Sequence, residues 1–326
     1  MLLACIAYQF VLVNNVQGKK NVSFKIHTAA TYQEVLTEMK AKKLLNNYYS
    51  FEVLSSKMNY PHKVHPGNYV FKPGMSNKDI LRMLIGGHQT PVKVTFNNVR
   101  TKADLAGKLS RCLELDSSKL MKIFYDTSFL KRQNLDTNTI ICLFIPNSYE
   151  MYWNISQEKF LERMQKEYKI FWNASRLEKA KNIGLSEIEV SIMASLVQAE
   201  QQKHPSERPR IAGLYMNRLK QGMALQNDAT LIFSLGDFSI KRVLNIHKEI
   251  DSAFNTYKHV GLTPGPINLP EISSLDAVLN YEKNDYLFLC AKEDFSGYHN
   301  FAADYATHQK NAKLYTTALD KRKIYK

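Results

Sequence analysis

Four capping signals restrict the folds open to this chain more than any other feature of its sequence. Each is a Ser or Thr followed three residues later by Glu or Asp, and the four begin at Thr31, Ser76, Thr101 and Ser186. Such a pair caps the first backbone N–H groups of a helix from both sides, so each signal predicts a helix start. We therefore expect helices along most of the chain.

Residues 22–96 combine two of these helices with strands. Alternating apolar residues in the stretches VSFKI, GNYVF and VKVTF predict three strands. Gly86 and Gly87 follow the second helix, at a place where glycine commonly ends one. Because strand and capped helix occur twice, the pattern predicts a small α+β module over residues 22–96.

The remaining chain divides into two sections that differ in residue pattern. The stretch SQEKFLERMQKEYKIFW places Phe160, Met164, Tyr168 and Phe171 on one stripe, which predicts an amphipathic helix within a helical section of residues 97–180. Residues 181–326 hold a capped helix and then turn-rich stretches, where binding and catalytic sites usually lie. No flexible linker separates these parts, so we expect an α+β protein of packed subdomains.

The first 18 residues begin with an apolar run that stops near Val13. A membrane-spanning helix needs about 20 apolar residues, and no basic residue precedes the run as a signal peptide requires. We interpret residues 1–18 as a partial transmembrane anchor whose beginning lies upstream of Met1. The alternative is an ordinary buried N-terminal element.

The chain is strongly basic, with a formal net charge of +14. A positive surface favours anionic partners such as nucleic acid, an acidic membrane face or an anionic cell-wall polymer. The basic residues are scattered and no nucleic-acid-binding signature is present, so we expect no nucleic acid partner. HExxH, P-loop and strand-linked GxGxxG motifs are also missing from the sequence. We expect neither a metal nor a cofactor.

Glu200 is the residue whose position most strongly indicates chemistry. It falls in the last turn of the helix that Ser186 begins. Its side of that helix also carries Ile192, Leu196 and Val197. Partial burial and the negative end of the helix dipole both favour the protonated carboxyl, which is the state that a general acid needs. The alternative is a structural carboxylate that pairs with Arg208 or Arg210.

The segment after Glu200 contains a second candidate helix. The first helix should end near Lys203, because His204-Pro205 disfavours its continuation, and Ser206 can cap the next one. Asn217 and Arg218 project from this second helix. Asn is a poor residue for a helix interior, so it suits hydrogen bonding to a ligand or to a neighbouring loop. The alternative is a buried polar lock between the two helices.

Asp228, in the turn QNDAT, is a second carboxylate downstream of Glu200. Two carboxylates are typical of glycoside hydrolysis when their separation is right. The alternative for Asp228 is a turn or helix-capping aspartate. His299 follows the stretch DFSGY, and no GxSxG nucleophile motif accompanies it. A loop hydrogen bond is therefore its simpler role.

The order of several motifs resembles the endolytic murein transglycosylase family (MltG or YceG-like). They are ASLVQAEQ, SERPRIAGLYMNRLKQGMALQNDATLIFSLGD, NTYKHVGLTPGPI and SGYHNFAADYATH. Upstream, HPGNYVFKPGMSNKDILRML resembles the LysM-like module of that family, and FIPNSYEMYW resembles its FPDTY segment. The likeness extends over nearly the whole chain from about residue 22.

The resemblance implies a single-pass protein of the bacterial inner membrane whose catalytic part lies outside the cytoplasm and cuts nascent peptidoglycan strands. It places the catalytic acid on Glu200, at the end of the family's AS-I-I/V-E-K-E helix. The first acid of that motif is Gln198 here, and Ala229 and Thr263 replace two prolines of the family pattern. The departure at Gln198 leaves the catalytic position filled by Glu200, and the two proline replacements remove no reactive group. The resemblance leaves peptidoglycan synthases open as protein partners.

The expected reaction breaks the bond between N-acetylmuramic acid and N-acetylglucosamine and leaves a 1,6-anhydro end, which limits strand elongation. Residues expected to shape the site are Asn217, Arg218, Gln226 and Asp228. Residues expected to line the glycan groove are Tyr149, Asn255, Tyr257 and His299. Two alternatives stay open: a hydrolytic muramidase that uses Asp228 as second carboxylate, and a non-catalytic peptidoglycan-binding protein.

Overall fold

A computed structural model describes residues 11–240 and 242–322 of the chain, and within them helices alternate with three small antiparallel sheets. The strands are β1 Val22–Ile26, β2 Gly67–Phe71, β3 Val92–Thr95, β4 Ser148–Met151, β5 Phe288–Ala291 and β6 His299–Ala302. They pair as β1 with β2, β3 with β4 and β5 with β6. The protein therefore has the α+β class that the sequence predicts.

Helices make up most of the regular structure in the described part. The first seven are α1 Tyr32–Ala41, α2 Tyr48–Lys57, α3 Asn77–Ile85, α4 Lys102–Cys112, α5 Ser117–Phe124, α6 Thr127–Arg132 and α7 Gln157–Phe171. The others are α8 Ala174–Asn182, α9 Glu187–Glu200, α10 Arg208–Lys220, α11 Asp228–Leu235, α12 Asn245–Lys248, α13 Ile272–Leu279 and α14 Tyr305–Lys321. Short 3₁₀ turns lie at Tyr60–His62, Ile140–Leu143 and Pro205–Glu207.

All four predicted capping signals begin helices. Thr31, Ser76 and Ser186 each accept a hydrogen bond from the backbone N–H three residues on, and the acidic side chain there bonds back. Thr101 and Asp104 exchange the same pair of bonds at 3.1 and 3.0 Å. These local bonds fix the starts of α1, α3, α4 and α9 because they satisfy N–H groups that have no partner within the helix.

The chain forms two compact units. The first takes in the described residues up to Thr95 together with Ala106–Leu120 and Ser148–Phe160. Its main core lies between the β1–β2 pair and helices α1 to α3, with Phe24, Phe51 and Tyr69 fully buried. The expected LysM-like module of residues 22–96 lies within this unit, and its LysM-like character and the three predicted boundaries stay predictions.

The second unit comprises Phe96–Leu105, Met121–Asn147 and the chain from Leu161 onward. Helix α9 lies at the centre of its core, and each residue from Val190 to Gln198 is buried. Apolar residues on every side are typical of a helix surrounded by other elements. The sequence predicted a single apolar stripe here, whereas the structure packs α10, α11 and α13 around this helix.

Helix α9 ends at Glu200, earlier than the predicted end near Lys203. Gln201 leaves the helical conformation, with φ −128° and ψ 90°, and its side-chain oxygen accepts bonds from the backbone N–H groups of Lys203 and His204. The expected capping of the next helix by Ser206 is wrong, since Glu207 occupies the N-cap of α10. The 3₁₀ turn Pro205–Glu207 lies between α9 and α10.

Residues 1–10 of the predicted anchor lie outside the described residues. Asn15 and Val16 are buried in the first unit, where Asn15 bonds to the side chain of Asn77 and to the backbone of Asn47. Any anchor at this end is therefore confined to residues before Asn14. Across residues 11–240 and 242–322, none of the helices combines the length and the apolar character needed to cross a membrane.

Candidate active site

Glu200 reaches a pocket because it is the last residue of a buried helix. The Gln201 N–H completes the final helical bond to the carbonyl of Val197 at 3.0 Å, and the chain then turns away. Val190–Gln198 of α9 are enclosed by core, whereas Glu200 is only half-buried. The helix thus places one carboxyl at the boundary between the apolar core and a cavity.

Two side chains hold one oxygen of this carboxyl. Tyr215 on α10 donates its hydroxyl to Oε2 of Glu200 at 3.2 Å. Asn227, which precedes α11, donates Nδ2 to the same oxygen at 2.9 Å and to the Tyr215 hydroxyl at 2.9 Å. Among the described residues, none hydrogen-bonds Oε1. One carboxyl oxygen is therefore fixed, and the other is available to a ligand.

The surroundings of Glu200 favour its neutral form. Burial raises the pKa of the Glu200 carboxyl, and the nearby Asp228 acts in the same direction. His299, the Tyr215 hydroxyl and Arg218 lower that pKa, but burial is the largest effect and the net direction is upward. A carboxyl with a raised pKa can hold a proton near neutrality, as a general acid must.

The cavity in front of Glu200 has a volume of about 380 Å³, within the range of about 300–1,000 Å³ that is usual for ligand pockets. It is lined by Glu200, Leu214, Tyr215, Arg218, Leu225, Gln226, Asp228, Tyr257, Phe288, Leu289, Cys290, Ala291, His299, Tyr305 and His308. Six of the nine predicted site residues belong to this lining: Glu200, Arg218, Gln226, Asp228, Tyr257 and His299. The structure therefore brings together most of the predicted site.

Arg218 forms one wall of the pocket and is itself buried. Its Nη1 donates to the carbonyls of Ala224 and Leu225, both at 3.0 Å, and to Oε1 of Gln226 at 3.2 Å, while Nε donates to the carbonyl of Leu287. Burial lowers the pKa of this guanidinium, although an arginine stays charged in proteins. Arg218 thus fixes the loop before α11 and supplies positive charge to the pocket.

Gln226 and Asp228 lie on either side of Asn227 at the start of α11. Gln226 has a left-handed backbone with φ +53°, a conformation that costs a non-glycine residue free energy and is often found at functional sites. Asp228 accepts a 2.5 Å hydrogen bond from the hydroxyl of Tyr257. Burial, followed by this bond, raises the pKa of Tyr257, so the phenol stays a donor to Asp228.

His299 enters the pocket from the start of β6. Its Nδ1 lies 2.7 Å from Oε2 of Glu207, and its backbone N–H donates to Oε1 of the same side chain at 3.0 Å. Glu207 is only 7% exposed. The predicted role of a simple loop hydrogen bond therefore understates this residue, because a buried carboxylate orients the imidazole.

Two predicted site residues donate hydrogen bonds to loop carbonyls and do not line the pocket. Asn217 donates Nδ2 to the carbonyls of Asn284 and Tyr286 at 2.9 and 3.0 Å. Asn255 is fully buried, and its Nδ2 donates to the carbonyls of Lys248 and Ile250. Asn217 therefore makes a hydrogen bond to a neighbouring loop, one of the two roles expected for it. The amide hydrogens of Asn255 are engaged by backbone, and its place in a glycan groove stays a prediction.

Tyr149, the remaining predicted residue, lies in β4 of the first unit. It pairs with Val94 across the β3–β4 sheet and is 5% exposed. The pocket around Glu200 is formed by the second unit. A place for Tyr149 in a glycan groove stays a prediction.

Three important residues were missed by the sequence reasoning: Tyr215, Asn227 and Glu207. Tyr215 lies among the apolar residues Ile211, Leu214 and Leu219 of its helix, and no sequence pattern reveals a partner for its hydroxyl. Asn227 could have been found, because an Asn directly before a helix is a preferred N-cap, and its Oδ1 does accept from the Ala229 N–H at 2.9 Å. Glu207 pairs with a residue 92 positions away, which no local pattern reveals.

Gln198 and the two arginines after α9 also have structural partners. Gln198 accepts from the backbone N–H of Glu271 at 2.6 Å, at the start of α13. Arg208 pairs with Glu271 and Arg210 with Glu282. The alternative in which Glu200 pairs with either arginine is therefore wrong, and Gln198 uses its side-chain oxygen to bind the start of α13.

A protonatable carboxyl with one free oxygen, set in a cavity of an α+β unit, defines a site suited to general acid/base catalysis. Residues 24–314 match the family model described as the YceG-like family. The chain belongs to that family.

Known proteins similar to the chain carry consistent names. A Bacillus subtilis protein named endolytic murein transglycosylase is 35% identical over 167 residues, which are 51% of this chain and 45% of that protein. A Streptococcus pneumoniae protein of the same name is 25% identical over 324 residues, 87% of this chain and 57% of that protein. The chain thus spans about half the length of the curated relatives it matches.

A crystal structure of a YceG-like protein from Listeria monocytogenes shares the fold. Its TM-score is 0.58 at 24% identity, over 90% of this chain and 99% of that chain.

Proposed function

We propose that the chain is an endolytic lytic transglycosylase that cleaves the bond between N-acetylmuramic acid and N-acetylglucosamine in peptidoglycan. The observation that carries this proposal is the geometry of Glu200, whose Oε2 is held by Tyr215 and Asn227 while Oε1 is available to a ligand. The names of the curated relatives support the same substrate and reaction.

The first step is general acid catalysis. Protonated Glu200 donates its proton to the glycosidic oxygen as the bond from that oxygen to C1 of the muramoyl residue breaks. The electron pair of the bond goes to the departing oxygen, and the sugar ring becomes oxocarbenium-like. Tyr215 and Asn227 can stabilise the Glu200 carboxylate that this step leaves behind, because both are hydrogen-bond donors to it.

The second step uses the same carboxylate as a base. It takes the proton from the C6 hydroxyl of the muramoyl residue while O6 forms a bond to C1. The product is a 1,6-anhydro end, no water is consumed, and Glu200 is protonated again. A single carboxyl suffices because the nucleophile belongs to the substrate.

Hydrolysis by the same site is the second candidate, and the presence of Asp228 in the cavity favours it. With Asp228 as general base, a water molecule would replace the C6 hydroxyl as nucleophile. The product would then be a reducing sugar, heavier than the anhydro product by one water. The names of the curated relatives favour the transglycosylase.

Other parts of the chain have proposed roles around this site. A LysM-like first unit would bind glycan and present it, and the basic surface would support contact with an anionic wall. Membrane attachment through residues before Asn14 and a catalytic position outside the cytoplasm are proposed on the apolar start and the wall substrate. Peptidoglycan synthases as partners stay a prediction.

Replacement of Glu200 by Gln tests the proposed function. Gln keeps the size of Glu and can accept the bonds from Tyr215 and Asn227, but it cannot donate and regain the proton. Loss of a general acid/base typically lowers the rate about 10²–10⁴-fold, and we expect the upper end because one group serves both steps. The assay is release of 1,6-anhydromuropeptides from purified murein.

Glu282→Gln is the matched control, since Glu282 pairs with Arg210 at the surface and does not line the cavity. It should release anhydro ends at the wild-type rate. Circular dichroism confirms folding of both variants. Normal anhydro release by a folded Glu200→Gln variant would remove Glu200 as the catalyst, and a reducing end from the wild-type chain would select the hydrolytic candidate.

A further inference from the structure

Glu207 is a buried carboxylate that faces three hydrogen-bond donors. Its Oε2 accepts from Nε2 of Gln201 at 2.6 Å and lies 2.7 Å from Nδ1 of His299, while its Oε1 accepts from the His299 backbone N–H at 3.0 Å. An ionised carboxylate has only acceptor sites. Both oxygens are therefore used as acceptors, and Glu207 requires no further partner for its position.

This arrangement decides where the proton of the imidazole lies. Nδ1 of His299 faces a carboxylate oxygen, so the proton on Nδ1 forms a charge-assisted hydrogen bond there. In a neutral imidazole the other nitrogen, Nε2, is then a hydrogen-bond acceptor. Among the described residues, none bonds to Nε2 of His299, and this side chain lines the cavity together with Glu200.

The surrounding contacts keep the pair in place. Gln201 also donates to the carbonyl of Gly297 at 3.0 Å, and its own oxygen accepts from the N–H of His204 at 3.0 Å. The rings of His204 and Tyr298 are stacked with centroids 3.9 Å apart. The turn after α9 and the start of β6 are thus tied to each other, and His299 has little freedom to rotate.

We propose that Glu207 is a positioning residue that fixes the His299 tautomer, so that Nε2 of His299 accepts a hydrogen bond from a hydroxyl or amide N–H of the bound sugar beside Glu200. The inference rests on the proposed function. It adds a substrate contact whose strength depends on a carboxylate that does not itself line the cavity.

An amide at position 207 would break this arrangement whichever way it turns. Gln offers one acceptor oxygen, whereas three donors converge on two oxygens. An NH₂ group in place of Oε2 would meet the Gln201 amide and force Nδ1 of His299 to become the acceptor, which moves the ring proton to Nε2. An NH₂ group in place of Oε1 would keep the bond to Nδ1 but would face the backbone N–H of His299, so two donors would oppose each other and the ring would shift. Glu207→Gln should therefore reverse or weaken the contact.

The experiment is a double-mutant cycle with Glu207→Gln, His299→Gln and the double variant, with kcat and KM measured on purified glycan strands. We expect Glu207→Gln to lower kcat/KM about 10- to 100-fold, the usual effect of changing a residue that orients a ligating group. In the His299→Gln background the same substitution should have less than a threefold effect, because its target is gone. Glu282→Gln serves as the control for loss of a carboxylate.

A second readout does not depend on activity. Long-range ¹H–¹⁵N NMR spectra of the wild-type chain should show His299 as the tautomer with its proton on Nδ1 near neutral pH, with the signal identified by its loss in His299→Gln. A proton on Nε2 would overturn the proposal, and so would additive effects of the two substitutions on kcat/KM. Neither result depends on Glu200→Gln, whose retention of activity would overturn the proposed function instead.

Discussion

At the scale of single residues, the chemistry of Glu200 depends on the contrast between its two oxygens. Tyr215 and Asn227 hold Oε2, and the cavity is open to Oε1. A held carboxyl cannot rotate away from the substrate, while its free oxygen can exchange a proton. The same burial that raises its pKa costs folding free energy whenever the group ionises.

This cost predicts that Glu200→Gln stabilises the protein in a pH-dependent manner. The pKa of Glu200 is higher in the folded than in the unfolded chain, so wild-type stability falls as pH rises from the unfolded pKa through the folded one. A Gln side chain does not ionise, so the variant does not lose stability in this way as pH rises. We expect the variant to gain about 0.5–2 kcal/mol at pH 7 and little at pH 4, measured by urea unfolding.

An equal gain at both pH values would show that ionisation of Glu200 is not the cause. Glu189→Gln is unsuitable as a control because Glu189 caps α9. Glu282→Gln is suitable because its ion pair with Arg210 is exposed, and such pairs contribute at most about 1 kcal/mol.

The raised pKa of Glu200 also predicts the pH dependence of the rate. Glu200 must be protonated to begin the reaction, so kcat should fall as pH rises through its pKa in the substrate complex. Because that pKa is raised, the fall should lie above the ordinary range of a Glu side chain, which is about 4.3. A kcat profile on soluble glycan strands measures it, and a fall centred below pH 5 would contradict the assignment.

At the scale of secondary-structure elements, loops carry much of the site and buried amides hold those loops. Asn255 binds two carbonyls of its own loop and accepts from the Tyr257 N–H at 3.0 Å. Tyr257 in turn bonds to Asp228. Asn255 thus helps to place Tyr257 beside Asp228.

Asn255→Ala should therefore weaken the site although Asn255 does not line the cavity. Loss of the amide leaves two partly buried carbonyls without their donor, which costs less per group than the roughly 1–3 kcal/mol of a fully buried one. We expect a lower free energy of unfolding and a higher KM, with kcat changed less, because Glu200 and its two donors stay in place. Urea unfolding and steady-state kinetics measure the two effects, and a change in kcat alone would contradict this role.

The sequence predicted elements well where their causes were local. The capping pairs at Thr31, Ser76, Thr101 and Ser186 each needed only four consecutive residues, and all begin helices. The end of α9 was misplaced because Gln201 stops the helix through its own side chain. The pairing of Glu207 with His299 was missed because folding, not sequence distance, brings the two together.

At the scale of the whole molecule, the first unit is built from three separate stretches of the chain. Strand β3 pairs with β4, and Ala106–Leu120 and Ser148–Phe160 complete the unit that begins before Thr95. A boundary at residue 96 would separate β3 from its partner. The predicted boundary at residue 96 thus falls between two paired strands, and the module of residues 22–96 stays a prediction.

We predict that a fragment beginning at residue 97 is less stable than the full chain. It would keep β4 with an unpaired edge, together with apolar side chains from Ala106–Leu120 that lose their first-unit neighbours. Limited proteolysis should cut this fragment within residues 106–160 faster than it cuts the full chain. Equal resistance of the two proteins would mean that the second unit does not need the first.

The interrupted path of the first unit has a consequence during synthesis on the ribosome. Strand β3 emerges early, but its partner β4 follows only after another 50 residues or so. At about 5–20 residues per second, the nascent chain holds an unpaired strand edge for several seconds. Chaperone binding to nascent chains should therefore peak between the emergence of Thr95 and that of Met151, and translation speed over this interval should affect the yield of folded protein.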